Sequence, residues 1–209
     1  VPALGVWGTS ADDVYAWYAN TIFRRRTADD GGPPAWVAEY VIDDVDAPAD
    51  TTYVFGAGGS SPDDVWFVGG RIRYDASGTK PAHMRDYSCP VVIHKTQEGY
   101  VRLVDAIIDD GASYASACGR RPGTVPLEDT LPIGKLDLTS PWEHIGWVTS
   151  CASAGPNAMV GILEGNALVY VTSEDGGLAR RNQIAKLTVP SDDFGALLLS
   201  SVWVEDAYA

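Results

Sequence analysis

The chain has few basic residues and no long apolar run. Its 209 residues include 15 Lys and Arg against 28 Asp and Glu, which gives a formal net charge of −13 at pH 7. A protein of this charge repels phosphate backbones, so we expect no nucleic-acid partner. No apolar stretch approaches the length that a membrane-spanning helix needs, so we expect no transmembrane segment.

Cysteine and histidine are scarce as well. The chain has three Cys, at positions 89, 118 and 151, and this odd number fits either one disulfide with a free thiol or three free thiols. The three His, at positions 83, 94 and 144, lie far apart and share no ligand spacing with the Cys residues. This distribution argues against a zinc site.

The sequence also lacks the short motifs of common catalytic sites. It contains no G-x-S-x-G elbow and no H-E-x-x-H pair. A phosphate-binding loop lies between a strand and the start of a helix, and none of the glycine-rich segments here has that context. They therefore do not predict a phosphate-binding loop. Helical periodicity is hard to find anywhere in the chain, which favours an all-β fold.

An internal repeat is the main positive feature of the sequence. The segments VWGTSADDVYAWY, at Val6–Tyr18, and VFGAGGSSPDDVWFVGG, at Val54–Gly70, share an apolar strand, a small polar turn, an Asp pair and an aromatic strand. Steps of 51, 48, 46 and 48 residues then join equivalent positions along the whole chain. These positions are Tyr15, Trp66, Tyr114, Val160 and Tyr208.

Each repeat has the composition of four short strands. In the first, GVWG, VYAWYA, TIFRRR and AWVAEYVI are separated by turn residues. Four antiparallel strands in a unit of 40 to 50 residues predict the blade of a β-propeller. We therefore expect four blades and part of a fifth, with a β-sandwich as the alternative. The predicted blades cover residues 1–50, 51–103, 104–143, 144–198 and 199–209.

The opening motifs carry a family resemblance. They are similar to the VWGSSPDDVWAVG-type repeats of bacterial secreted and lipoprotein β-propellers, and PVVIHKTQEGYVRLVD, at Pro90–Asp105, resembles the hairpin that follows in that family. VYVTSEDGG, at Val169–Gly177, resembles the Asp-box hairpin of sialidase-like propellers, although its closing aromatic residue is missing. The resemblance implies a propeller scaffold and an exported protein, and it does not imply an activity.

The repeated motif residues have a structural explanation. We expect Asp12, Asp13, Asp63 and Asp64 to cap backbone N–H groups in tight turns. The large aromatic residues of the same motifs should pack between blades, where they bury most area. These aromatic residues are Trp7, Tyr15, Phe55 and Trp66.

A long connection is the candidate ligand-binding segment. The sequence predicts that Gly70–Cys89 joins the second and third strands of the second blade, where the first blade uses Asn20 alone. Loops of this length in a compact repeat are often functional, although a solvated, decorated loop is the simpler explanation. The candidate binding residues form a basic and aromatic set: Arg71, Arg73, Tyr74, His83, Arg85 and Tyr87.

In a propeller, the loops that join the second strand to the third and those that join one blade to the next emerge on one face, so the long connection shares its predicted face with an acidic linker. This linker is a candidate calcium site. The segment DDVDAPAD, at Asp43–Asp50, gathers four carboxylates in eight residues, and clustered carboxylates can hold Ca²⁺. Its spacing matches no EF-hand loop, so a solvated linker remains the main alternative. The four candidate ligands are Asp43, Asp44, Asp46 and Asp50, and we expect no other cofactor.

The predicted positions of the loops also suggest a disulfide. Cys89 and Cys118 fall on the same predicted face of neighbouring blades, so a bridge between them would fix the long loop and require an oxidising compartment. Cys118–Cys151 is the rival pairing. We expect a secreted, periplasmic or cell-surface protein.

Two functions are compatible with these features of the sequence. The first is a non-catalytic binding or assembly module, whose partner is a protein, a glycan or further blades of a longer polypeptide. The second is a glycan-acting hydrolase of the sialidase-like kind, which would need several convergent Arg residues and a Tyr with a Glu partner.

Overall fold

The computed structural model describes residues 4–27, 31–42, 50–74, 85–103, 147–163, 167–174, 178–186 and 202. Within these ranges all regular secondary structure is β-strand, arranged in three four-stranded antiparallel sheets. The all-β class predicted from the sequence is confirmed. In this part of the chain no helix is long and apolar enough to cross a membrane.

The first sheet follows the predicted pattern of the opening repeat. It contains β1 (Gly5–Ser10), β2 (Asp13–Tyr18), β3 (Thr21–Arg26) and β4 (Ala35–Val41), paired in chain order. Ala19 has φ of 50° in the two-residue turn between β2 and β3. Asn20 then fixes the exit of the sheet, because its Nδ2 donates to the Ile42 carbonyl at 2.8 Å and its carbonyl accepts from the Ile42 amide at 2.9 Å.

The second sheet has longer strands. It contains β5 (Asp50–Ser61), β6 (Asp64–Tyr74), β7 (Arg85–Thr96) and β8 (Gly99–Arg102). The ladder between β6 and β7 continues as far as Tyr74 opposite Arg85, so the prediction of a loop over the whole of Gly70–Cys89 is wrong. The connection is thereby reduced to residues 75–84, which lie outside the described residues.

The third sheet lies within the predicted fourth blade. It contains β9 (Val148–Gly155), β10 (Ala158–Leu163), β11 (Ala167–Glu174) and β12 (Leu178–Lys186). Val160 pairs with Ala152, as Tyr15 pairs with Trp7 and Trp66 pairs with Gly58, so the three residues occupy equivalent positions in their sheets. The predicted blade at 104–143 and the partial blade at 199–209 lie outside the described residues, apart from Val202.

The three sheets are stacked in a constant orientation. We call the side that carries Tyr15, Trp66 or Val160 the forward face of its sheet, and the other side the rear face. The forward face of the first sheet packs on the rear face of the second through a cluster that joins Tyr15, Trp17 and Ile22 to Phe67 and Ile93. The forward face of the second sheet packs in the same way on the rear face of the third.

The second interface has its own core. Trp66, Val68 and Val92 of the second sheet contact Met159 and Val171 of the third. The second sheet is therefore buried on both faces, which explains why VWFV and VVI read as continuous apolar runs rather than as alternating ones.

Glycines bring β5 against β9. A Cβ atom on Gly56 would lie 2.8 Å from the Thr149 carbonyl oxygen, and one on Gly58 would collide with the Cys151 carbonyl. The two strands can approach this closely only because these positions have no side chain.

Candidate functional site

A buried acidic cluster marks the forward face of the first sheet. Asp13, which is 3% exposed, accepts hydrogen bonds from Thr9 Oγ1 at 2.7 Å and from Arg24 Nη2 at 2.9 Å. The Arg24 guanidinium also lies over the Tyr15 ring, 5.4 Å from its centroid, which adds a cation–π contact. Burial, followed by the charge of Asp13, raises the pKa of Tyr15 well above its ordinary value.

A second acid, Glu39, joins the first two sheets. Its carboxylate accepts from Arg26 Nε at 2.7 Å and from the Tyr100 hydroxyl at 2.6 Å, and it lies 3.8 Å from Arg24 Nη1. Tyr100 belongs to β8 of the second sheet and stacks on Tyr40 of β4 with 5.0 Å between ring centroids. Burial and the hydrogen bond to Glu39 raise the pKa of Tyr100, so the phenol stays protonated and acts as a donor.

These groups line a cleft of about 500 Å³ between the two sheets. One wall comes from β3 and β4, and the other from Asp63 in the β5–β6 turn and from the β7–β8 hairpin. The cleft presents both signs of charge together with a phenol, an amide and a hydroxyl group, so its chemistry suits a polar ligand. Its lining is Arg24, Arg26, Val37, Ala38, Glu39, Asp63, Lys95, Thr96, Gln97, Gly99 and Tyr100.

Three charged side chains line the β3–β4 wall, and Arg26 is the most exposed of them. Its side chain is 57% exposed, whereas the side chains of Arg24 and Glu39 are 25% and 7% exposed. The hydrogen bond to Glu39, followed by the charge of Glu39, raises the pKa of Arg26. A ligand that enters the cleft therefore meets a permanently charged guanidinium, which Glu39 holds in place.

The second sheet repeats the acidic cluster at its interface with the third. Asp64 accepts from Ser60 Oγ at 2.5 Å, from Trp66 Nε1 at 3.0 Å and from Ser153 Oγ of the third sheet at 2.6 Å. His94 Nε2 lies 3.0 Å from the same carboxylate, and the imidazole stacks on the Trp66 indole at 3.8 Å. Asp64 thus connects three strands of its own sheet to a neighbouring sheet.

The surroundings determine the protonation of this pair. Burial alone would raise the pKa of Asp64, but the hydrogen bonds from Ser153, Ser60 and His94 outweigh burial and hold the pKa below its ordinary value. Burial lowers the pKa of His94, although the hydrogen bond and charge of Asp64 oppose the shift. The imidazole is therefore neutral at pH 7 and donates to the carboxylate through Nε2.

The capping role predicted for the motif acids applies to neither Asp13 nor Asp64. Both are buried at the start of a strand and accept from side chains, because the strand alternation points them into the interface between sheets. Asp12 and Asp63 lie in the turns, as expected, and their side chains are exposed. Tyr15 and Trp66 are fully buried between sheets, in agreement with their predicted packing.

The predicted ligand residues lie away from the cleft or outside the described side chains. Arg71 is 2% exposed within β6, so it is a buried strand residue rather than part of an open loop. Arg73, Tyr74, Arg85 and Tyr87 also belong to strands, and their side chains lie outside the described part of the chain. His83 is outside it altogether.

The calcium prediction is untested for a similar reason. Asp43, Asp44 and Asp46 lie outside the described residues, and Asp50 is described only as the first residue of β5. Among the residues that the structure does describe, no group of three His, Cys, Asp or Glu side chains could hold a metal ion.

Cys151 is a free thiol buried at the second interface. Its Sγ lies 3.5 Å from the Trp66 carbonyl oxygen, and burial raises its pKa well above the ordinary value. The free thiol leaves the rival Cys118–Cys151 pairing without structural support. The Cys89–Cys118 disulfide remains a prediction, because Cys118 and the side chain of Cys89 are not among the parts of the chain that the structure describes.

Sequence reasoning missed the cleft, but a signal for part of it was present. Aligning TIFRRR with VVIHKT places Arg24 on His94 and Arg25 on Lys95. Both Arg25 and Lys95 donate to a turn carbonyl, of Ala11 and Pro62 respectively, so this correspondence holds in the structure. Glu39 lies in β4 and Tyr100 in β8, and the sequences of these two strands show no repeat that would relate them. Only the fold brings the two residues together.

Comparisons with family models, with curated proteins and with solved structures find no match for this chain.

Proposed function

We propose that the chain is a non-catalytic binding or assembly module of an exported or cell-surface protein, built from propeller-type blades. The support for this architecture is the repeated stacking of four-stranded meanders, forward face on rear face. A β-sandwich of two sheets would leave one face of each sheet outside the core, whereas the second sheet is covered on both faces.

Side-chain size supports a radial arrangement of the sheets. Glycines allow backbone contact between the first strands β5 and β9, whereas the last strands β4 and β8 are separated by the stacked rings of Tyr40 and Tyr100. Small residues at the first strands and large ones at the last strands are what wedge-shaped blades around an axis require.

The cleft between the first two sheets carries the binding proposal. It is polar, its walls come from two sheets, and its two arginines and Tyr100 contact Glu39. Such a site suits recognition of a glycan or of a polar segment of a protein. The ion pairs fix the positions of the arginines and of Glu39. A ligand that forms hydrogen bonds with these groups at the rim of the cleft would therefore bind in a defined orientation.

The test is a paired substitution. Arg26→Ala removes the exposed guanidinium of the cleft, and Arg25→Ala removes the adjacent one, which projects from the rear face and donates to the Ala11 carbonyl at 3.1 Å. The chain would be screened against a glycan array and a displayed-peptide library. We expect Arg26→Ala to weaken the strongest ligand about tenfold and Arg25→Ala to leave it unchanged. Equal effects of the two substitutions would contradict a site in the cleft.

Glycan hydrolysis is the second candidate, and one observation favours it. The Tyr100–Glu39 hydrogen bond, with Arg24 and Arg26 beside it, resembles part of the constellation that a sialidase-like site would need. However, Tyr100 is held as a neutral donor, and both guanidiniums are already paired with Glu39 or Asp13. A fluorogenic glycoside screen with Tyr100→Phe as the control decides the matter: turnover that the substitution abolishes would establish this candidate in place of the first.

A further inference from the structure

The outer edge of the first sheet is open in the described part of the chain. β4 is the last strand of its sheet, and among the described strands it pairs with β3 alone. Alternate residues of an edge strand direct their backbone N–H and C=O groups away from the sheet. These groups of β4 are therefore available to a further strand.

The exposure of the side chains along β4 agrees with an open edge. Residues 35–38 are all exposed, with Trp36 at 49% and Val37 at 45%, and Val41 is 50% exposed. Consecutive side chains of a strand point to opposite faces of the sheet. Exposure of successive residues thus means that the described residues cover neither side of this edge.

The outermost strands of the other two sheets are better protected against pairing than β4. β8 has only four residues, and β12 carries Arg180, Arg181 and Lys186. Short length and basic side chains are two common means by which proteins block an edge strand. β4 has seven residues, and its one charged side chain, Glu39, is 7% exposed because it points towards the second sheet.

This unprotected edge borders the cleft. Val37, Ala38 and Glu39 of β4 line the cleft together with two arginines of β3. A strand added to β4 would direct every second side chain to the forward face, where the cleft lies. The side chains between them would lie on the rear face, beside Trp36, which pairs with Arg25.

The polarity of the two faces indicates which strand fits this edge. On the forward side Arg26 donates to Glu39 through Nε and Nη2, and its other N–H groups have no partner among the described residues. On the rear side Trp36 and Val41 are apolar. The fitting strand therefore alternates polar and apolar side chains. β4 of a second copy does not fit, because Ala35 and Val37 would face the cleft without forming hydrogen bonds.

We propose that β4 binds an extended peptide segment of a partner protein as a fifth strand, with alternate polar side chains of the peptide in the cleft. This inference rests on the proposed binding function of the cleft. It selects a polypeptide rather than a glycan, because a polypeptide backbone carries the regular donors and acceptors that pair with an edge strand.

An N-methyl scan of a peptide ligand tests the pairing. The probe is the strongest linear peptide that the whole chain selects from a random phage-displayed library, resynthesised with one backbone N-methyl group at each position in turn. Each N-methyl group removes one N–H donor and leaves the side chain intact. We expect binding to weaken about tenfold at every second position, where the N–H pairs with β4, and to change much less at the positions between.

Hydrogen exchange locates the contact on the chain. The peptide should slow the exchange of backbone amides in β4, residues 35–41. Residues 99–102 are the matched control, because β8 is the outermost strand of the opposite wall and should exchange as it does without the peptide. Protection of residues 99–102 in place of 35–41 would overturn the proposal.

The outcomes separate this inference from the proposed function. A ligand that Arg26→Ala weakens, but that shows no two-residue period in the scan, keeps the cleft as a binding site and overturns the strand pairing. A screen that yields only glycans, or no ligand at all, overturns the pairing as well. A periodic peptide that protects β4 but is insensitive to Arg26→Ala supports the pairing and contradicts the role of the cleft.

A second copy at the same edge is also tested by hydrogen exchange. In the free chain the amides of β4 should exchange at the same rate at low and at high protein concentration. Protection of β4 that increases with concentration, together with self-association in sedimentation equilibrium, would assign the edge to a second copy and overturn the proposal.

Discussion

The Arg24 guanidinium and the His94 imidazole occupy the same position in consecutive sheets. Arg24 pairs across strands with Tyr15, and His94 pairs with Trp66, so each basic side chain lies against a buried aromatic ring. Each also contacts the aspartate that precedes this aromatic residue by two positions: Arg24 contacts Asp13, and His94 contacts Asp64. The repeat therefore conserves a polar cluster as well as a strand pattern. In the first sheet the base is permanently charged, whereas in the second it is neutral.

Loss of the Asp64 charge should destabilise the stack. Asp64→Asn replaces an acceptor of four hydrogen bonds by an amide that cannot accept them all, at a residue that is 7% exposed. We expect the free energy of unfolding to fall by about 2 to 3 kcal/mol, measured by urea denaturation. Asp63→Asn is the control: this neighbour is exposed, its nearest basic group is 4.0 Å away, and the change should cost less than about 0.5 kcal/mol.

Stability should fall on mild acidification because of His94. The pKa of His94 is lowered in the folded state, so below about pH 6.5 the unfolded chain binds a proton that the folded chain excludes. The unfolding free energy should therefore decrease as the pH falls below that value. The pKa of Asp64 is also lowered, and it adds a further loss below about pH 4.

The contribution of His94 can be isolated by substitution. His94→Gln keeps a donor near Asp64 and removes the titration, so its unfolding free energy should depend less on pH between about 7 and 5 than that of the wild-type chain. Identical pH profiles for the two proteins would exclude His94 as the cause.

Cys151 should resist modification while the chain is folded. The thiol is buried and its pKa is raised, so the reactive thiolate is both rare and inaccessible. Iodoacetamide followed by peptide mass spectrometry should label position 151 only in denaturant. The same maps, taken without reduction, test the predicted Cys89–Cys118 disulfide. Rapid labelling of Cys151 in the native chain would show that the second interface opens.

The long connection of the second sheet separates two candidate ligand sites. Replacing residues 75–84 by a short Gly-Asn turn should leave the fold intact, since the β6–β7 ladder ends at Tyr74 and Arg85. Ligand binding should survive this change if the cleft is the site, because the β7–β8 hairpin that lines the cleft is untouched. Binding that is lost with these residues would favour the site predicted from the sequence.

The strands of the first sheet could be predicted because local rules determine them. TIFRRR coincides with β3, since its apolar and polar residues are bounded by a tight turn before Thr21 and by Pro33 and Pro34 further on. The extension of β6 could not be foreseen from the first repeat, where the equivalent strand ends at Tyr18.

The cleft escaped prediction because it depends on a register shift. Ile22 pairs with Tyr40 but Phe23 pairs with Ala38, which leaves Glu39 as an extra residue in β4. This bulge directs a carboxylate towards the second sheet, where Tyr100 meets it. Neither the position of a bulge nor a contact between residues 61 positions apart follows from the alternation of side chains within one repeat.

The constant orientation of the sheets has a consequence for how such a chain can evolve. Both described junctions join a forward face to a rear face, so a unit duplicated within the gene would enter between surfaces that already fit it. The number of units could then change without redesign of the neighbouring ones, whereas reversing the order of strands within a unit would place an acidic cluster against the wrong surface.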